Sequence, residues 1–123
     1  MFKAIRTVVY KVNDLEKAKL WYTDLLGEAP YFDQPFYVGF NIAGYELGLH
    51  PHEKSNIEKS DSVLMYWGVA NVEFEYNRMI ELGATSHEKP TNVGGEIVVA
   101  SVKDAWGNII GLICNPEFSL PKD

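Results

Sequence analysis

The stretch "GNIIGLICNP", Gly107–Pro116, decides the fold because the chain writes it twice. A short apolar run bounded by Gly-Asn and Asn-Pro reads as a buried strand, yet Gly111 interrupts its middle. "GYELGLHP", Gly44–Pro51, has the same form, with Gly48 in the same place. Gly44, Leu47, Gly48 and Leu49 correspond to Gly107, Ile110, Gly111 and Leu112, each 63 residues on. Upstream, Val12, Leu15 and Glu16 correspond to Val69, Val72 and Glu73, each 57 residues on. Ordered matches on equivalent elements indicate an internal duplication. The two offsets differ by six residues, which predicts a longer loop in the second half.

Working outward, "AIRTVVYKV", Ala4–Val12, is short and rich in β-branched residues, and reads as a strand. "NDLEKAKLWYTDLLG" follows with Leu15, Ala18, Tyr22 and Leu25 at helical spacing. Asn13 is the expected cap, Glu16 its reciprocal partner, and Gly27 the stop. A brief strand near Tyr31-Phe32 and strands over "FYVGFNI" and "YELGLH" complete the first unit. The last two form a hairpin about Ala43-Gly44. "PHEKSNIEKSDS", Pro51–Ser62, is polar and without period, and reads as a linker. The second unit has a strand in "VLMYWGV", a helix in "ANVEFEYNRMIELG" and strands in "EIVVASV" and "IIGLIC". In that helix Val72, Tyr76, Met79, Ile80 and Leu82 are available for burial, and Gly83 is the stop. His87 in "SHEKP" reads as a loop residue.

The chain of 123 residues is the size of one domain, and its 46% hydrophobic content supports a packed core. We expect a single domain over 1–123: module one about 1–54, a linker about 51–62 and module two about 62–123. No apolar run approaches a membrane span. The start lacks a secretory pattern, and the single cysteine, Cys114, excludes an internal disulfide. A cytoplasmic location is expected. A net charge of −6 argues against nucleic acid and anionic membranes as partners, since both require basic surface.

Each unit must bury its helix stripe on one sheet face, and side chains alternate along strands. Val8, Tyr10 and Val12 are predicted to face the helix, with Thr7, Val9 and Lys11 opposite. Likewise Tyr45, Leu47 and Leu49 face the helix, with Glu46, Gly48 and His50 opposite. In the second half Met65, Trp67, Val69, Ile110, Leu112 and Cys114 take the helix side. Leu64, Tyr66, Gly68, Ile109, Gly111 and Ile113 take the other. The helix side is almost wholly apolar. The opposite side is mixed, as suits a partly wet cleft.

The paired βαβββ layout, the opening "VVYKVNDLEKAKLWYTDLLG" and the final "DAWGNIIGLICNP" resemble the vicinal oxygen chelate superfamily of glyoxalases, bleomycin-resistance proteins and dioxygenases. The likeness spans essentially the whole chain. Ala105 stands where such proteins usually have proline. The resemblance implies an α+β fold of two βαβββ modules, with a cleft on the sheet face opposite the helices and a homodimeric assembly. It also implies that the metal positions of the family's enzymes fall here on Thr7, Gly48, Leu64 and Gly111. Their usual His, Glu or Gln donors are absent, so no metal or other cofactor is expected.

Other polar groups remain on the cleft face. Glu46 and His50, with Lys11 and Tyr66, form a candidate cluster, and a histidine with a carboxylate is a usable acid–base pair. Trp106 and the run Tyr31, Phe32, Phe36, Tyr37 and Phe40 are candidate aromatic contacts for a flat or cationic ligand, although some of the run can instead be core. "HPHE", His50–Glu53, reads as solvated linker rather than a displaced metal site, because Pro51 breaks the strand and its donors share one loop. Cys114 reads as a buried, inert thiol. The expected ligand-binding set is Thr7, Lys11, Tyr37, Glu46, Gly48, His50, Leu64, Tyr66, Trp106 and Gly111. The expected function is metal-independent binding of a small organic molecule. The alternative is a lyase or isomerase of the glyoxalase type, using a shifted divalent metal or a Glu46/His50 pair.

Overall fold

The computed structural model describes residues 1–53, 58–60 and 62–118. The chain divides into two compact units, 1–58 and 59–123. Each contains one helix and a four-stranded sheet, as the duplication requires.

The first unit runs β1 (Thr7–Val12), α1 (Leu15–Leu26), β2 (Phe32–Gln34), β3 (Tyr37–Ile42) and β4 (Tyr45–Pro51). Its sheet order is β1-β4-β3-β2. The outer strand β1 pairs in parallel with β4, and Thr7 lies opposite Glu46. β3 and β4 are antiparallel, with Gly39 opposite Gly48. The two-residue loop between them places Ala43 at φ 51° and Gly44 at φ 92°. Both angles are left-handed, as a primed hairpin turn demands. Helix α1 begins one residue later than expected. Asp14, not Asn13, is the cap, accepting from the Lys17 amide at 3.1 Å. Glu16 is instead ion-paired to Lys19 at 3.0 Å. Gly27 ends the helix at φ 72°. The apolar stripe of α1 buries Ala18, Tyr22 and Leu25. Tyr22 is fully enclosed, stacks on Tyr10 at 6.1 Å and packs tilted against Phe40 at 6.5 Å. These contacts place Tyr10 and Phe40 on the helix side. Each such side chain contributes roughly 1.5–3 kcal/mol through burial.

The second unit runs β5 (Tyr66–Gly68), α2 (Val72–Glu81), β6 (Thr85–Gly94), β7 (Ile97–Lys103) and β8 (Ile109–Cys114), in sheet order β5-β8-β7-β6. Asn71 caps α2, accepting from the Phe74 amide at 2.9 Å. Val72, Tyr76 and Met79 are its buried residues, whereas Ile80 is exposed. Ile80 lies at the edge of the stripe that Val72, Tyr76 and Met79 define, on the side toward solvent. β5 is shorter than the apolar run suggested.

The largest departure from the sequence reading is β6. The residues expected as a longer loop form an outer strand, and His87 lies within it. β6 is polar and contains Pro90. It tolerates both because it is an edge strand whose register with β7 slips three times. Parts of the expected linker, 54–57 and 61, lie outside the described residues. Among the described residues no helix is long and apolar enough to cross a membrane.

Candidate functional site

The two strand glycines have different structural reasons. A Cβ at Gly48 would sit 1.8 Å from the Tyr37 hydroxyl oxygen and 2.5 Å from its ring Cζ. Tyr37 therefore fills the space that a side chain at Gly48 would need. At Gly39, directly across, a Cβ would meet Glu46 Oε2 at 2.8 Å and the Tyr31 ring at 3.1 Å. Side chains from three strands and the coil before β2 thus converge over a glycine floor.

Glu46 is the centre of this cluster. Its Oε1 accepts from the Tyr37 hydroxyl at 3.0 Å and from Thr7 Oγ1 at 3.2 Å. Its Oε2 accepts from the Tyr31 hydroxyl. Tyr31 reaches it because its own amide is anchored to the Gly39 carbonyl at 3.0 Å. An ionised carboxylate has about four acceptor sites, so three hydroxyls leave roughly one for another donor. Hydrogen bonding to the anion, first from Tyr31, holds the Glu46 carboxyl below its ordinary range against the opposing effect of burial. Burial, then the bond to Glu46, pushes the Tyr37 phenol up to about 12. Tyr31 is raised as well, chiefly by its bond to Glu46. The cluster holds an anion and two protonated phenols throughout the neutral range.

An aromatic wall adjoins it. Phe32 packs tilted against Tyr31 and Tyr37, at 6.4 and 6.2 Å, and edge-on to Phe36 at 5.9 Å. Tyr31 and Phe36 are exposed. The surface groove at the start of α1, lined by Asn13, Asp14, Glu16, Asp33 and Gln34, includes none of the Glu46 partners.

Of the predicted residues in this unit, the structure gathers Thr7, Tyr37, Glu46 and Gly48. His50 and Lys11 are exposed register partners near the other end of the β1–β4 pair. Four residues of strand separate His50 from Glu46 by roughly 13 Å, so the two are not an acid–base pair in contact. Tyr31 was expected only as one of an aromatic run beside the cleft, not as a hydrogen-bond partner of Glu46. Its reach to Glu46 starts from coil, and no spacing rule signals it.

In the second unit, a Cβ at Gly111 would lie 2.3 Å from the Met65 carbonyl oxygen and 2.9 Å from the Tyr66 ring. Here the glycine admits backbone: its amide donates to that same carbonyl at 3.0 Å. Tyr66 is exposed, and Leu64 is half-buried in the coil before β5. Trp106 is half-buried in the "DAWGN" turn. That turn is locked by Asp104 Oδ1, which accepts from the Trp106 and Asn108 amides at 2.9 and 2.8 Å. Asn108 donates to Asp104 Oδ2 and accepts from Lys59 Nζ. Cys114 is half-buried rather than enclosed.

The side chains at the four positions that the resemblance assigns to metal, Thr7, Gly48, Leu64 and Gly111, do not suit a divalent cation. Gly48 and Gly111 carry no donor, and the room for one is taken by Tyr37 and by the Met65 carbonyl. Leu64 is apolar, and Thr7 is engaged with Glu46. Among the described residues no three His, Cys, Asp or Glu side chains gather as metal ligands.

Comparison with known proteins agrees with this fold. The sequence model of the Glyoxalase/Bleomycin resistance protein/Dioxygenase superfamily matches residues 4–112. An uncharacterized protein of Bacillus subtilis (strain 168), YurT, is 29% identical over 126 residues, covering 90% of this chain and 98% of that protein. A glyoxalase-related enzyme from Fulvimarina pelagi superposes with TM-score 0.78 at 18% identity, covering 99% of this chain and 95% of that one. The fosfomycin resistance protein FosX of Listeria monocytogenes superposes with TM-score 0.77 at 15% identity, covering 95% and 97%. The duplicated architecture and the family match over nearly the whole chain agree: this protein belongs to the Glyoxalase/Bleomycin resistance protein/Dioxygenase superfamily.

Proposed function

We propose that this chain binds a small organic molecule on the open face of its first sheet, without a metal, and that Glu46 is the recognition group. The observation that supports this reading is the Glu46 carboxylate, accepting from the hydroxyls of Thr7, Tyr31 and Tyr37 beside exposed aromatic rings. A carboxylate held below its ordinary pKa is a weak proton acceptor. It is well suited to stay charged and receive a hydrogen bond. The ligand class is therefore an aromatic or alkyl body bearing a cationic or N–H donor group. The donor takes the remaining acceptor position on Glu46, and the body lies against Tyr31 and Phe36. In this reading the chain is a cytoplasmic, single-domain homodimer that binds its ligand, with no chemical step assigned to it.

The test is calorimetric titration with arylalkylammonium ions and their uncharged isosteres. Saturable binding of the cations is expected, weakened at least about tenfold in Glu46→Gln, since a charge-assisted hydrogen bond contributes ~1.5–3 kcal/mol. Equal affinity in Glu46→Gln, or no saturable binding of any cation, refutes it.

A further inference from the structure

The second sheet holds a polar pair of its own. Ser86 is bonded to the Tyr76 hydroxyl of α2 at 2.6 Å, so it faces the helix. His87, the next residue, faces the opposite way, and the slip in register between Ser86 and Glu88 leaves it without a strand partner. Such a bulge re-aims a side chain. His87 Nδ1 lies 2.8 Å from Ser101 Oγ. Ser101 is almost wholly buried and stands opposite Gly111, over which the exposed Tyr66 ring lies. An imidazole, a buried hydroxyl and a phenol ring therefore form one row across the face away from α2. The arrangement is not a nucleophile relay. Glu88 Oε1 approaches the same ring nitrogen as Ser101 does, at 3.6 Å, whereas a relay uses the two nitrogens separately.

The hydrogen positions follow from satisfaction. Among the described residues, His87 is the only hydrogen-bond partner of the Ser101 hydroxyl. If Nδ1 carried the hydrogen, the buried Ser101 hydrogen would lack an acceptor, which is disfavoured. Glu88 Oε1, at 3.6 Å on a largely exposed side chain, is beyond hydrogen-bond reach of Nδ1, so Ser101 donates to Nδ1 and Nε2 carries the ring hydrogen. Nε2 has no protein partner among the described residues, and it is not sealed from solvent.

We propose that His87 is a binding residue for a carboxylate or similar oxyanion, donating from Nε2, with Ser101 as the residue that positions its ring and tautomer. An aromatic or unsaturated carboxylate fits best, because Tyr66 offers a flat surface in the same row.

The test is nitrogen-resolved NMR of the His87 imidazole in the full chain, with benzoate as the probe. The Nε2–H tautomer is expected in the free protein, with a saturating shift of Nε2 on addition of benzoate. Ser101→Ala is expected to mix the tautomers and weaken benzoate about three- to tenfold, the effect of losing one orienting hydrogen bond. An Nδ1–H tautomer, a non-saturating Nε2, or unchanged affinity in Ser101→Ala overturns the proposal. If Ser101→Ala does not fold, the wild-type tautomer and titration decide alone. The readout is independent of Glu46, so this proposal and the first can fail separately.

Discussion

Replacing Gly48 by alanine tests the central packing claim. The new Cβ would fall 1.8, 2.5 and 2.9 Å from the hydroxyl oxygen, Cζ and Cε1 of Tyr37. All three lie at the far end of one side chain, so the backbone holds and Tyr37 swings out. Its 3.0 Å bond to Glu46 breaks with it. Overpacking of this kind costs ~1–3 kcal/mol, and the lost hydrogen bond to a carboxylate ~1.5–3 kcal/mol. Tyr37 is half-buried and can rotate into water, and Glu46 keeps its Thr7 and Tyr31 bonds. The net cost is therefore expected at the lower end, about 2 kcal/mol. Urea unfolding of the wild type, Gly48→Ala, Tyr37→Ala and the double variant measures it as a cycle. In the Tyr37→Ala background the clash has no partner. There Gly48→Ala is expected to be neutral, or stabilising by up to ~1 kcal/mol through reduced backbone entropy. An equal cost in both backgrounds would refute the claim that Tyr37 is why this position is glycine.

Further outcomes follow from the same structure. Gly111→Ala faces a backbone carbonyl at 2.3 Å, so it is expected to cost about 3 kcal/mol, the upper end for overpacking, and to gain nothing from Tyr66→Ala, measured by the same unfolding curves. The Glu46 carboxyl is lowered from 4.5 in the fold. Its contribution to stability is complete above that value and is lost as pH falls through the lowered one. Urea midpoints should therefore drop more steeply on acidification in wild type than in Glu46→Gln. Tyr37 is raised from 10.0 to about 12, so its contribution is present below pH 10 and is lost as pH rises through 12. Phenolate absorbance should show that late titration, and Tyr37→Phe should remove it. Ala43 is held at φ 51°, a region costing a non-glycine residue roughly 1–2 kcal/mol. Ala43→Gly should raise the urea midpoint.

Much of the architecture was legible in the chain because it rests on local periodicities. The helix stripes, the Ala43-Gly44 hairpin and the matched phrases around Gly48 and Gly111 each follow from spacing within a few residues. The side-chain alternation that put Thr7 and Glu46 on one face is a two-residue rule, and their pairing in register follows it. β6 was not legible. An edge strand with both faces polar shows no alternation, and Pro90 argues against a strand of any ordinary kind. His87 was hidden along with it.

The sequence by itself determined that the fold is duplicated, which faces of β1, β4, β5 and β8 are apolar, and that a glycine interrupts the closing strand of each unit. Only the tertiary structure decided what fills the space each glycine leaves. Gly48 yields to a phenol from the neighbouring strand and Gly111 to the Met65 carbonyl of the coil before β5. Side-chain reach across strands has no period in the sequence, so two glycines that read alike in the chain admit different groups in the fold.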